Sequence, residues 1–413
     1  MNNMDPLKNL QDRGFVKNCS NESALREKIT KEPITFYVGF DATADSLHVG
    51  HLMPIMAVAH LQKAGHIPIL VVGGGTTLIG DPSGRTEMRK MLSLETIMHN
   101  AEQVQKQLSK FISFEDQKGM FQNNLEWLAD LKYIEFLRDV GKYFRVNEMI
   151  KSEAYRLRLE RQDGLSFIEF NYQLLQAYDF LMLNDKYGCV LQIGGDDQWG
   201  NIVAGVSLIR QMRQKEVYAL TFPLLETASG KKMGKTEAGA VWFDALKTSP
   251  FEYYQYWINT DDRDVIKFLK FFTFLSLDEI AEMEKLTGAD IRQAKETLAF
   301  EATKIAHGEE EAKKAMEASR SLFGSDVKDH ENIPSKQVEK KLFEKGISVV
   351  DLFCIAGLAT SKTASRKLIE QGGAYIENER VTSAEKIITE KDLVDNSILL
   401  RQGKKNYIKV VLK

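Results

Sequence analysis

A strand that enters a helix through a histidine-containing turn is the feature that most constrains this chain. Residues 35–40 are β-branched and aromatic, which predicts a strand, and residues 41–46 favour a turn. Pro54 suits a helix only in its first turn, so the helix is predicted to begin near residues 48–51. The apolar run 66–72 then predicts a buried parallel strand. Together they form a βαβ unit with a right-handed crossover.

The turn itself has chemistry that suits an anion. Backbone N–H groups and the helix dipole point towards it, and the side chains of His48 and His51 can donate to phosphate oxygens. Gly50 carries no side chain, so a flat base could approach the backbone there. On these residues alone, an ordinary turn with two surface histidines is the alternative interpretation.

The glycine-rich stretch after the second strand differs from a dinucleotide-binding loop. Leu78 stands where the third glycine of that fingerprint is needed, so residues 73–85 are interpreted as a close-packed glycine turn. Asp81 supplies a carboxylate at this sheet edge, where ligands of open α/β sheets bind. Arg85 and Arg89 follow, either as ligand contacts or as solvated loop residues.

The next segment predicts helices from 90 to 165, which is too long for a simple crossover and indicates an insertion. A strong helix is then predicted over 170–181. Tyr172, Gln176 and Asp179 share one face of that helix by their spacing. This face is either a binding surface or a polar outer surface.

A second half of the sheet follows. Residues 189–193 predict a buried strand, residues 194–201 a glycine-and-acid turn, and residues 217–220 the last strand. Two such halves make a doubly wound parallel α/β sheet, whose ligand crevice lies where their carboxyl edges meet.

A lysine-rich loop follows this sheet. Only three residues separate Gly230 from Gly234, whereas a P-loop requires four between its glycines, so a P-loop is excluded. A mobile glycine-containing loop with lysines still suits a triphosphate. A solvated basic turn is the alternative.

Composition sets the broad class of the protein. With 413 residues, 43% hydrophobic and 27% charged, the chain predicts a globular protein of two to four domains. No apolar run reaches the ~18 residues of a membrane helix, and no signal peptide is visible. The separated Cys19, Cys189 and Cys354 do not have the spacing of a zinc site. We therefore expect a cytoplasmic protein with no metal site and no membrane partner.

The C-terminal end differs from the body in charge. Residues 336–413 carry 15 Lys and Arg against 10 Asp and Glu, a net charge of +5, while the remainder carries 40 against 48, or −8. Residues 363–371 predict a helix with a basic side formed by Lys362, Arg366 and Lys367. A polyanion is the expected partner of this basic module.

Several motifs occur in one order along nearly the whole chain, and together they resemble those of a known family. The segments that carry the resemblance are 39–51, 78–84, 172–179, 192–195, 197–201 and 232–236. They are similar to the motifs of class I aminoacyl-tRNA synthetases, and within these to bacterial-type tyrosyl-tRNA synthetases. Residues 361–373 are similar to the small RNA-binding domain first named from a ribosomal small-subunit protein.

The resemblance implies a domain order. A Rossmann-like catalytic domain would span 1–228 with a helical insertion at about 115–165. A mobile lysine-rich loop and an α-helical anticodon-side domain would span 229–324. A linker at 325–335 would lead to a small α+β RNA-binding domain at 336–413. The family also implies a homodimer that forms through the insertion.

The implied activity is ATP-dependent ligation of L-tyrosine to tRNA(Tyr). Tyrosine and ATP give tyrosyl-adenylate and pyrophosphate, and the tyrosyl group then passes to the terminal adenosine of tRNA. ATP with Mg²⁺ is the expected substrate, with no tightly bound cofactor. The attacking carboxylate is ionised at pH 7, with a pKa of about 3.5, so the enzyme needs no general base and acts by positioning and charge stabilisation.

The resemblance also assigns roles to individual residues. The catalytic group would comprise Thr43, His48, His51, Arg85, Arg89, Lys232, Lys235 and Thr236. The tyrosine-binding group would comprise Tyr37, Asp81, Tyr172, Gln176, Asp179 and Gln198. ATP would contact Gly39, Asp41, Gly50, Gly195, Asp197 and Lys235, and tRNA would contact Lys362, Arg366 and Lys367.

Four positions depart from the family pattern. Ala42 stands where proline is expected, Asp196 where a small residue is expected, and Arg85 where lysine is more usual. Val38 lies where some relatives have a polar residue near the ribose. Asp196 adds a negative charge near the expected substrate edge.

The motifs leave three rival interpretations. A nucleotidylyltransferase shares the HxGH turn, but the Tyr/Gln/Asp helix and the RNA-binding module weigh against it. The related tryptophan enzyme is the closest rival in fold, and the pair of Tyr37 with Asp179 and the helix that carries Gln176 and Asp179 argue against it. A retired, non-enzymatic RNA-binding paralogue conflicts with the intact residues of the turn and loop, namely His48, His51, Lys232 and Lys235.

Overall fold

The computed structural model describes residues 5–83, 92–160, 164–230, 233–236, 239–323, 335–377, 379–394, 396–403 and 406–413. The chain divides into two compact units. The first comprises Met1–Thr248 and Tyr256–Gly308, and the second comprises Ser249–Gln255 and Glu309–Lys413.

A six-stranded sheet forms the centre of the first unit. Its strands are β1 (Asn18–Cys19), β2 (Thr35–Phe40), β3 (Ile67–Val72), β4 (Met120–Asn123), β5 (Leu191–Gly195) and β6 (Tyr218–Phe222). They lie in the order β1-β6-β5-β2-β3-β4, and only β1 is antiparallel to its neighbour. The chain moves outwards from β2 in one direction through β3 and β4, then outwards in the other through β5 and β6. The predicted doubly wound parallel sheet is confirmed.

Sixteen helices precede the C-terminal strands in the described residues. They are α1 (Pro6–Arg13), α2 (Glu22–Lys31), α3 (Leu52–Lys63), α4 (Gly74–Ile79), α5 (Leu94–Leu108), α6 (Leu125–Leu128), α7 (Tyr133–Asp139), α8 (Val146–Met149), α9 (Glu153–Glu160), α10 (Phe167–Tyr187), α11 (Trp199–Arg213), α12 (Pro250–Ile258), α13 (Val265–Phe272), α14 (Leu277–Glu284), α15 (Ile291–His307) and α16 (Glu309–Phe323). A hairpin of β7 (Lys235–Thr236) and β8 (Gly239–Ala240) follows the sheet. Among these helices, none has the length and apolarity that crossing a membrane requires.

The order of the strands positions the site. Strands β2 and β5 are neighbours at the point where the winding direction reverses. Both are parallel and buried, as their apolar sequences predict, so their carboxyl ends open at the same edge of the sheet. This is the position at which ligands bind in open α/β sheets. The HxGH turn leaves β2 there, and the glycine-and-acid turn leaves β5.

Two sequence interpretations in this unit were wrong in detail. The stretch after β3 is the short helix α4 rather than a glycine turn, with Thr76 and Thr77 buried in it. The segment 90–165 is not wholly helical, because Met120–Asn123 pairs with β3 as an edge strand. Neither segment has a distinctive period, so contacts with β3 and its neighbours decide their conformation.

The second unit contains the C-terminal α/β module. Its strands are β9 (Ser335–Val338), β10 (Ile347–Ser348), β11 (Ala374–Ile376), β12 (Glu379–Arg380), β13 (Ile387–Ile388), β14 (Ser397–Gln402) and β15 (Asn406–Leu412). Its further helices are α17 (Lys341–Glu344), α18 (Val349–Ala356) and α19 (Lys362–Glu370). Five strands form a sheet in the order β12-β11-β14-β15-β9, and β10 pairs with β13.

The core of this module lies between the helices and one face of the five-stranded sheet. Phe353 of α18 and Ile369 of α19 pack in one cluster with Leu400 and Val410 of the sheet. The predicted helix over 363–371 is therefore confirmed. The predicted linker 325–335 lies outside the described residues except for Ser335, which begins β9. The domain boundaries stay a prediction.

Candidate active site

The two histidines of the HxGH turn are held by backbone hydrogen bonds. The N–H of Gly50 donates to Nδ1 of His48 at 3.0 Å, and the N–H of His48 donates to Nδ1 of His51 at 3.2 Å. Because Nδ1 accepts in both rings, a neutral imidazole carries its proton on Nε2. Burial, with a smaller contribution from His48, lowers the pKa of His51 to about 3. His51 is therefore a neutral Nε2–H donor at pH 7.

Glycine is required at position 50 for this arrangement. A Cβ on Gly50 would lie 2.7 Å from Cε1 and 2.9 Å from Nδ1 of His48. Any side chain would push the His48 ring out of its place. Gly39, at the exposed end of β2, has open space where a side chain would be. Both glycines leave backbone accessible to a ligand at this edge.

The stretch between β2 and the turn is tied to α4 and α10. The N–H of Ala42 donates to Oγ1 of Thr77 at 3.1 Å, and the N–H of Thr43 donates to the carbonyl of Asp41 at 2.9 Å. The hydroxyl of Tyr172 donates to Oδ1 of Asp41 at 3.4 Å. Thr43 is exposed and faces solvent, as a phosphate contact requires.

A buried carboxylate lies beneath this edge. Asp179 is 4% exposed, and its two oxygens accept from Nδ2 of Asn124 at 2.9 Å and from Nε1 of Trp127 at 2.7 Å. Burial raises the pKa of Asp179 to about 7, while the two hydrogen bonds oppose that rise. Asn124 and Trp127 were not predicted as site residues, because nothing in their spacing links them to residue 179.

Tyr37 lies close to this carboxylate. Its side chain is 2% exposed, and its hydroxyl donates to the carbonyl of Gln176 at 3.5 Å, a long and weak bond. Burial, and secondly the charge of Asp179, raises the pKa of the Tyr37 phenol well above its ordinary value. The structure thus brings a neutral phenol and a titratable carboxyl together at the bottom of the site.

A second polar group lies at the end of α4. Nε2 of Gln198 donates to Oδ2 of Asp81 at 2.7 Å, and the N–H of Ser83 donates to Oδ1 at 2.9 Å. Oε1 of Gln198 accepts from Nδ2 of Asn201 at 3.2 Å. The amide of Gln198 is thereby oriented by groups on both sides. The structure brings together Asp81 and Gln198, which are far apart in sequence.

The turn after β5 contributes a further acidic pair. A Cβ on Gly195 would lie 2.5 Å from Oδ1 of Asp197, so the carboxylate lies directly over the glycine backbone. The neighbouring Asp196 has a different role. Its Oδ1 accepts from Nδ2 of Asn18 at 2.7 Å and from Oγ1 of Thr221 at 2.8 Å. Its carboxylate therefore links the turn after β5 to β1 and β6, while the effect of its charge on substrate binding stays a prediction.

The lysine loop, residues 226–236, meets the HxGH turn through its backbone. A Cβ on Gly234 would lie 2.7 Å from the nitrogen of Gly50, and the N–H of Val241 donates to the carbonyl of Gly234 at 3.1 Å. Lys235 and Thr236 follow as β7. The predicted contacts of Arg85, Arg89 and Lys232 lie outside the described residues, as do the side chains of Lys235 and Thr236.

The predicted tRNA contacts lie on α19 in the second unit. Ser361 caps this helix, and Ser365 and Ile369 are buried, so Lys362, Arg366 and Lys367 lie on the exposed side. Nζ of Lys362 also forms an ion pair with Oδ1 of Asp351 at 2.7 Å. Arg366 and Lys367 are the more available charges for a polyanion.

Comparisons with known proteins agree with this geometry. The family described as class I tRNA synthetases (W and Y) matches residues 29–324. The family described as the tyrosine–tRNA ligase SYY-like C-terminal domain matches residues 327–410. A tyrosine–tRNA ligase of Clostridium botulinum (strain Loch Maree / Type A3) is 51% identical over 98% of both chains. The chain belongs to the tyrosine–tRNA ligase family.

Other members of the tyrosine–tRNA ligase family agree with this membership. The ligase of Desulfatibacillum aliphaticivorans is 50% identical over 99% of both chains. Among solved structures, a C-terminally truncated mitochondrial tyrosyl-tRNA synthetase of Aspergillus nidulans is 31% identical with a TM-score of 0.70, covering 78% of this chain and 94% of its own. The family predicted from the motifs is confirmed.

Proposed function

We propose that this chain ligates L-tyrosine to tRNA(Tyr) in two ATP-dependent steps. The observation that carries the proposal is the buried pair of Tyr37 and Asp179 on the same sheet edge as the HxGH turn and Gly234. A phenol-binding end and a phosphate-binding end then belong to one crevice. Family membership over nearly the whole chain supports the same activity.

Tyrosine would bind with its phenol between Tyr37 and Asp179. The buried hydroxyl of Tyr37 makes a hydrogen bond as long as 3.5 Å, so a ligand that carries a hydroxyl would give it a better partner than a ligand without one. Asp81, Tyr172 and Gln176 would hold the ammonium group, and Gln198 would lie near the carboxylate. The hydrogen bond from Gln198 to Asp81 supports this assignment, because it couples the two ends of the amino-acid group.

In the first step, the tyrosine carboxylate would attack the α-phosphorus of ATP and displace pyrophosphate. His48 and His51 would donate from Nε2 to oxygens of the phosphates, and Thr43 would add a hydroxyl. The neutral imidazole of His51 suits this role, since it stabilises charge without taking a proton at pH 7. Arg85, Arg89 and the lysines of the loop would neutralise the leaving pyrophosphate, and Gly39, Asp41, Gly50, Gly195 and Asp197 would contact ATP.

Mg²⁺ would enter with the triphosphate. Among the described residues, no group of three or more His, Cys, Asp or Glu side chains has the arrangement of a metal site. Phosphate oxygens are hard ligands that Mg²⁺ prefers, and Mg²⁺ bound to them would reduce their charge.

In the second step, the tyrosyl group would pass from the adenylate to the terminal adenosine of tRNA. Lys362, Arg366 and Lys367 on the exposed side of α19 would contact the tRNA backbone. The proposal is supported by the net charge of the C-terminal residues and by the family that matches them. We also propose a cytoplasmic location, because the proposed substrates tyrosine, ATP and tRNA are those of protein synthesis.

A homodimer that forms through the insertion is part of the proposal. Large apolar side chains are exposed along one segment of the first unit, namely Tyr133, Ile134, Val146, Ile150, Leu157, Leu159 and Phe167. Ile134 is 73% exposed and Phe167 is 68% exposed. Large exposed apolar side chains that recur within one segment favour a surface that another chain covers, and a second copy is the cover that the family implies.

Tyrosine-dependent exchange of pyrophosphate into ATP tests the activity. The full-length protein should catalyse exchange with tyrosine and not with phenylalanine or tryptophan. Exchange that requires no amino acid would indicate a nucleotidylyltransferase. A folded protein that gives no exchange would contradict the proposal and favour a non-enzymatic RNA-binding protein.

A further inference from the structure

A buried carboxylate holds the start of the lysine loop, residues 226–236. Asp264 is 3% exposed, and its Oδ2 accepts the N–H of Ala228 at 2.7 Å. Nζ of Lys267 lies 3.3 Å from Oδ1 of Asp264 and donates to the carbonyl of Glu226 at 3.0 Å. Hydrogen bonds to charged groups are among the stronger ones, so this end of the loop is firmly attached to the start of α13.

A neutral hydroxyl holds the other end. The N–H of Gly234 donates to the hydroxyl of Tyr256 at 3.2 Å. The Tyr256 ring packs edge-on against Trp257 at 5.1 Å, and Trp257 in turn packs against Phe272. Burial raises the pKa of the Tyr256 phenol, so the hydroxyl stays neutral at physiological pH. The ring is therefore fixed by packing, while its bond to the loop is the weaker of the two attachments.

The position of Gly234 is linked to the HxGH turn by a backbone ladder. The carbonyl of Gly234 accepts from Val241, and the carbonyl of Val241 accepts from the N–H of Val49 at 2.9 Å. The backbone of Gly234 also touches that of Gly50, with no room for a side chain between them. The chain continues at once into Lys235. The position of Gly234 therefore decides how near Lys235 comes to the turn.

We propose that Tyr256 is a positioning residue that latches the lysine loop. Its hydroxyl holds Gly234 on the HxGH turn and thereby keeps Lys235 beside the site at which ATP reacts. The inference rests on the proposed function of that turn and loop. A neutral hydrogen bond costs little to open, which suits a loop that must admit ATP and then close over it. The attachment at Asp264 stays in place as the fixed end.

Replacement of Tyr256 by phenylalanine tests the latch, because Tyr256→Phe keeps the ring and removes only the hydroxyl. We expect kcat for tyrosine-dependent exchange to fall about five-fold, the factor that one neutral hydrogen bond carries. The KM for tyrosine should be unchanged, since Tyr37 and Asp179 are not touched. The matched control is Tyr187→Phe, which removes a hydroxyl bond of 3.0 Å to Oε1 of Gln122 in the same unit.

A second measurement needs no activity. Trypsin cleaves after lysine, and the loop contains Lys231, Lys232 and Lys235. In the ligand-free protein, Tyr256→Phe should raise the rate of cleavage within the loop about five-fold, because the open state becomes more populated. The Tyr187→Phe control should be cleaved at the wild-type rate.

The outcomes separate the two proposals. Wild-type kcat and wild-type cleavage in Tyr256→Phe would overturn the latch. A raised KM for tyrosine together with a lower unfolding temperature would also overturn it, since Tyr256 would then be a core residue only. Absence of exchange in the wild-type protein would overturn the proposed function instead, and the trypsin comparison would still decide whether Tyr256 holds the loop.

Discussion

Asp179 has the environment of a carboxyl group that titrates near neutrality. It is almost fully buried, and the donors to its oxygens, Asn124 and Trp127, are both uncharged. Burial favours the protonated form, whereas both hydrogen bonds favour the ionised form. With a pKa of about 7, the ionised fraction changes steeply across physiological pH. The proposed phenol site should therefore be sensitive to pH.

Substitution of Trp127 by phenylalanine should shift this titration upwards. Trp127→Phe removes the Nε1–H donor, which stabilises the ionised form, so the pKa of Asp179 rises above about 7. If tyrosine binds to the ionised carboxylate, its KM at pH 7 should rise, because a smaller fraction of Asp179 is ionised in the variant. The expected rise is about five-fold, which corresponds to the free energy of the one hydrogen bond that is lost. The KM values of variant and wild type should converge at pH 9, where both are ionised. Exchange kinetics between pH 6 and 9 provide the measurement.

A KM ratio that stays constant across this pH range would contradict the prediction. Trp127 would then act through packing alone. An unfolding transition measured at pH 7 and pH 9 serves as the control, because a general loss of packing would lower stability at both values. The variant should retain its fold at pH 9 with a wild-type KM.

At the residue scale, the resemblance named candidate ligand contacts but not the residues that support them. Tyr37 and Asp179 were assigned from the resemblance, because Tyr37 lies just before one matching motif and Asp179 ends another. Asn124 could not, because it follows a short edge strand within the insertion and reaches residue 179 only in three dimensions. Ala42 was also unexplained by sequence. The N–H of Ala42 donates to Oγ1 of Thr77 in α4. Proline has no N–H, so a chain with proline at this position could not form this link between α4 and the turn.

At the scale of elements, strong local patterns gave correct predictions. Strand β2 and the helix after the turn follow from an apolar run and from the position of Pro54. Helix α4 and strand β4 were missed, because glycine-rich and mixed segments have weak intrinsic preferences. Their conformation depends on pairing and packing with β3. Tertiary contacts decide such segments, and a single sequence does not contain them in readable form.

The junction of the HxGH turn with the lysine loop makes a prediction about Gly234. Its φ is +80°, and a Cβ there would lie 2.7 Å from the nitrogen of Gly50. Gly234→Ala should therefore displace the loop from the turn and lower kcat for exchange about ten-fold or more. An effect of this size is expected because more than one backbone contact would be lost. Steady-state kinetics with tyrosine and ATP measure the effect.

The loop offers a matched control at Gly230. This glycine also has a positive φ, +74°, but a Cβ there would meet no heavy atom within 4 Å. Gly230→Ala introduces the same kind of backbone strain, about 1 kcal/mol, without a clash against the turn. We expect it to lose far less activity than Gly234→Ala. Equal losses would show that backbone strain, and not contact with Gly50, explains the effect.

At the scale of the whole molecule, the exposed apolar segment of the first unit predicts self-association. Ile134→Glu places a charge on a side chain that is 73% exposed in the single chain. If a second copy covers this surface, the buried charge would weaken the dimer by several kcal/mol and yield a monomer. Size-exclusion chromatography with light scattering measures the mass.

Leu246 provides the control for this experiment. It is 96% exposed and lies far along the chain from the apolar segment, so Leu246→Glu makes the same change of chemistry elsewhere. The control should keep the wild-type mass. A wild-type protein of about one chain mass, or a dimer that tolerates Ile134→Glu, would contradict the proposed interface.

Changes to the charge of the C-terminal module should affect the second step of the reaction and not the first. Arg366 and Lys367 lie on the exposed side of α19, whereas Ser365 and Ile369 lie on its buried side. Because tRNA is the only polyanion that enters at the second step, reversing both charges should affect charging and leave exchange unchanged. Contacts to phosphates are sequence-independent and weaken with salt.

The double variant Arg366→Glu/Lys367→Glu should raise the KM for tRNA about ten-fold at moderate salt, with a shallower dependence of the KM on salt than wild type, because fewer counterions are released on binding. Lys386→Glu/Lys391→Glu makes the same change in net charge at exposed positions off α19 and should leave charging near wild type. An equal loss in both variants would indicate general electrostatic attraction. A loss of exchange in the α19 variant would show that these side chains support the fold, because tyrosine and ATP require no basic helix in the second unit to react.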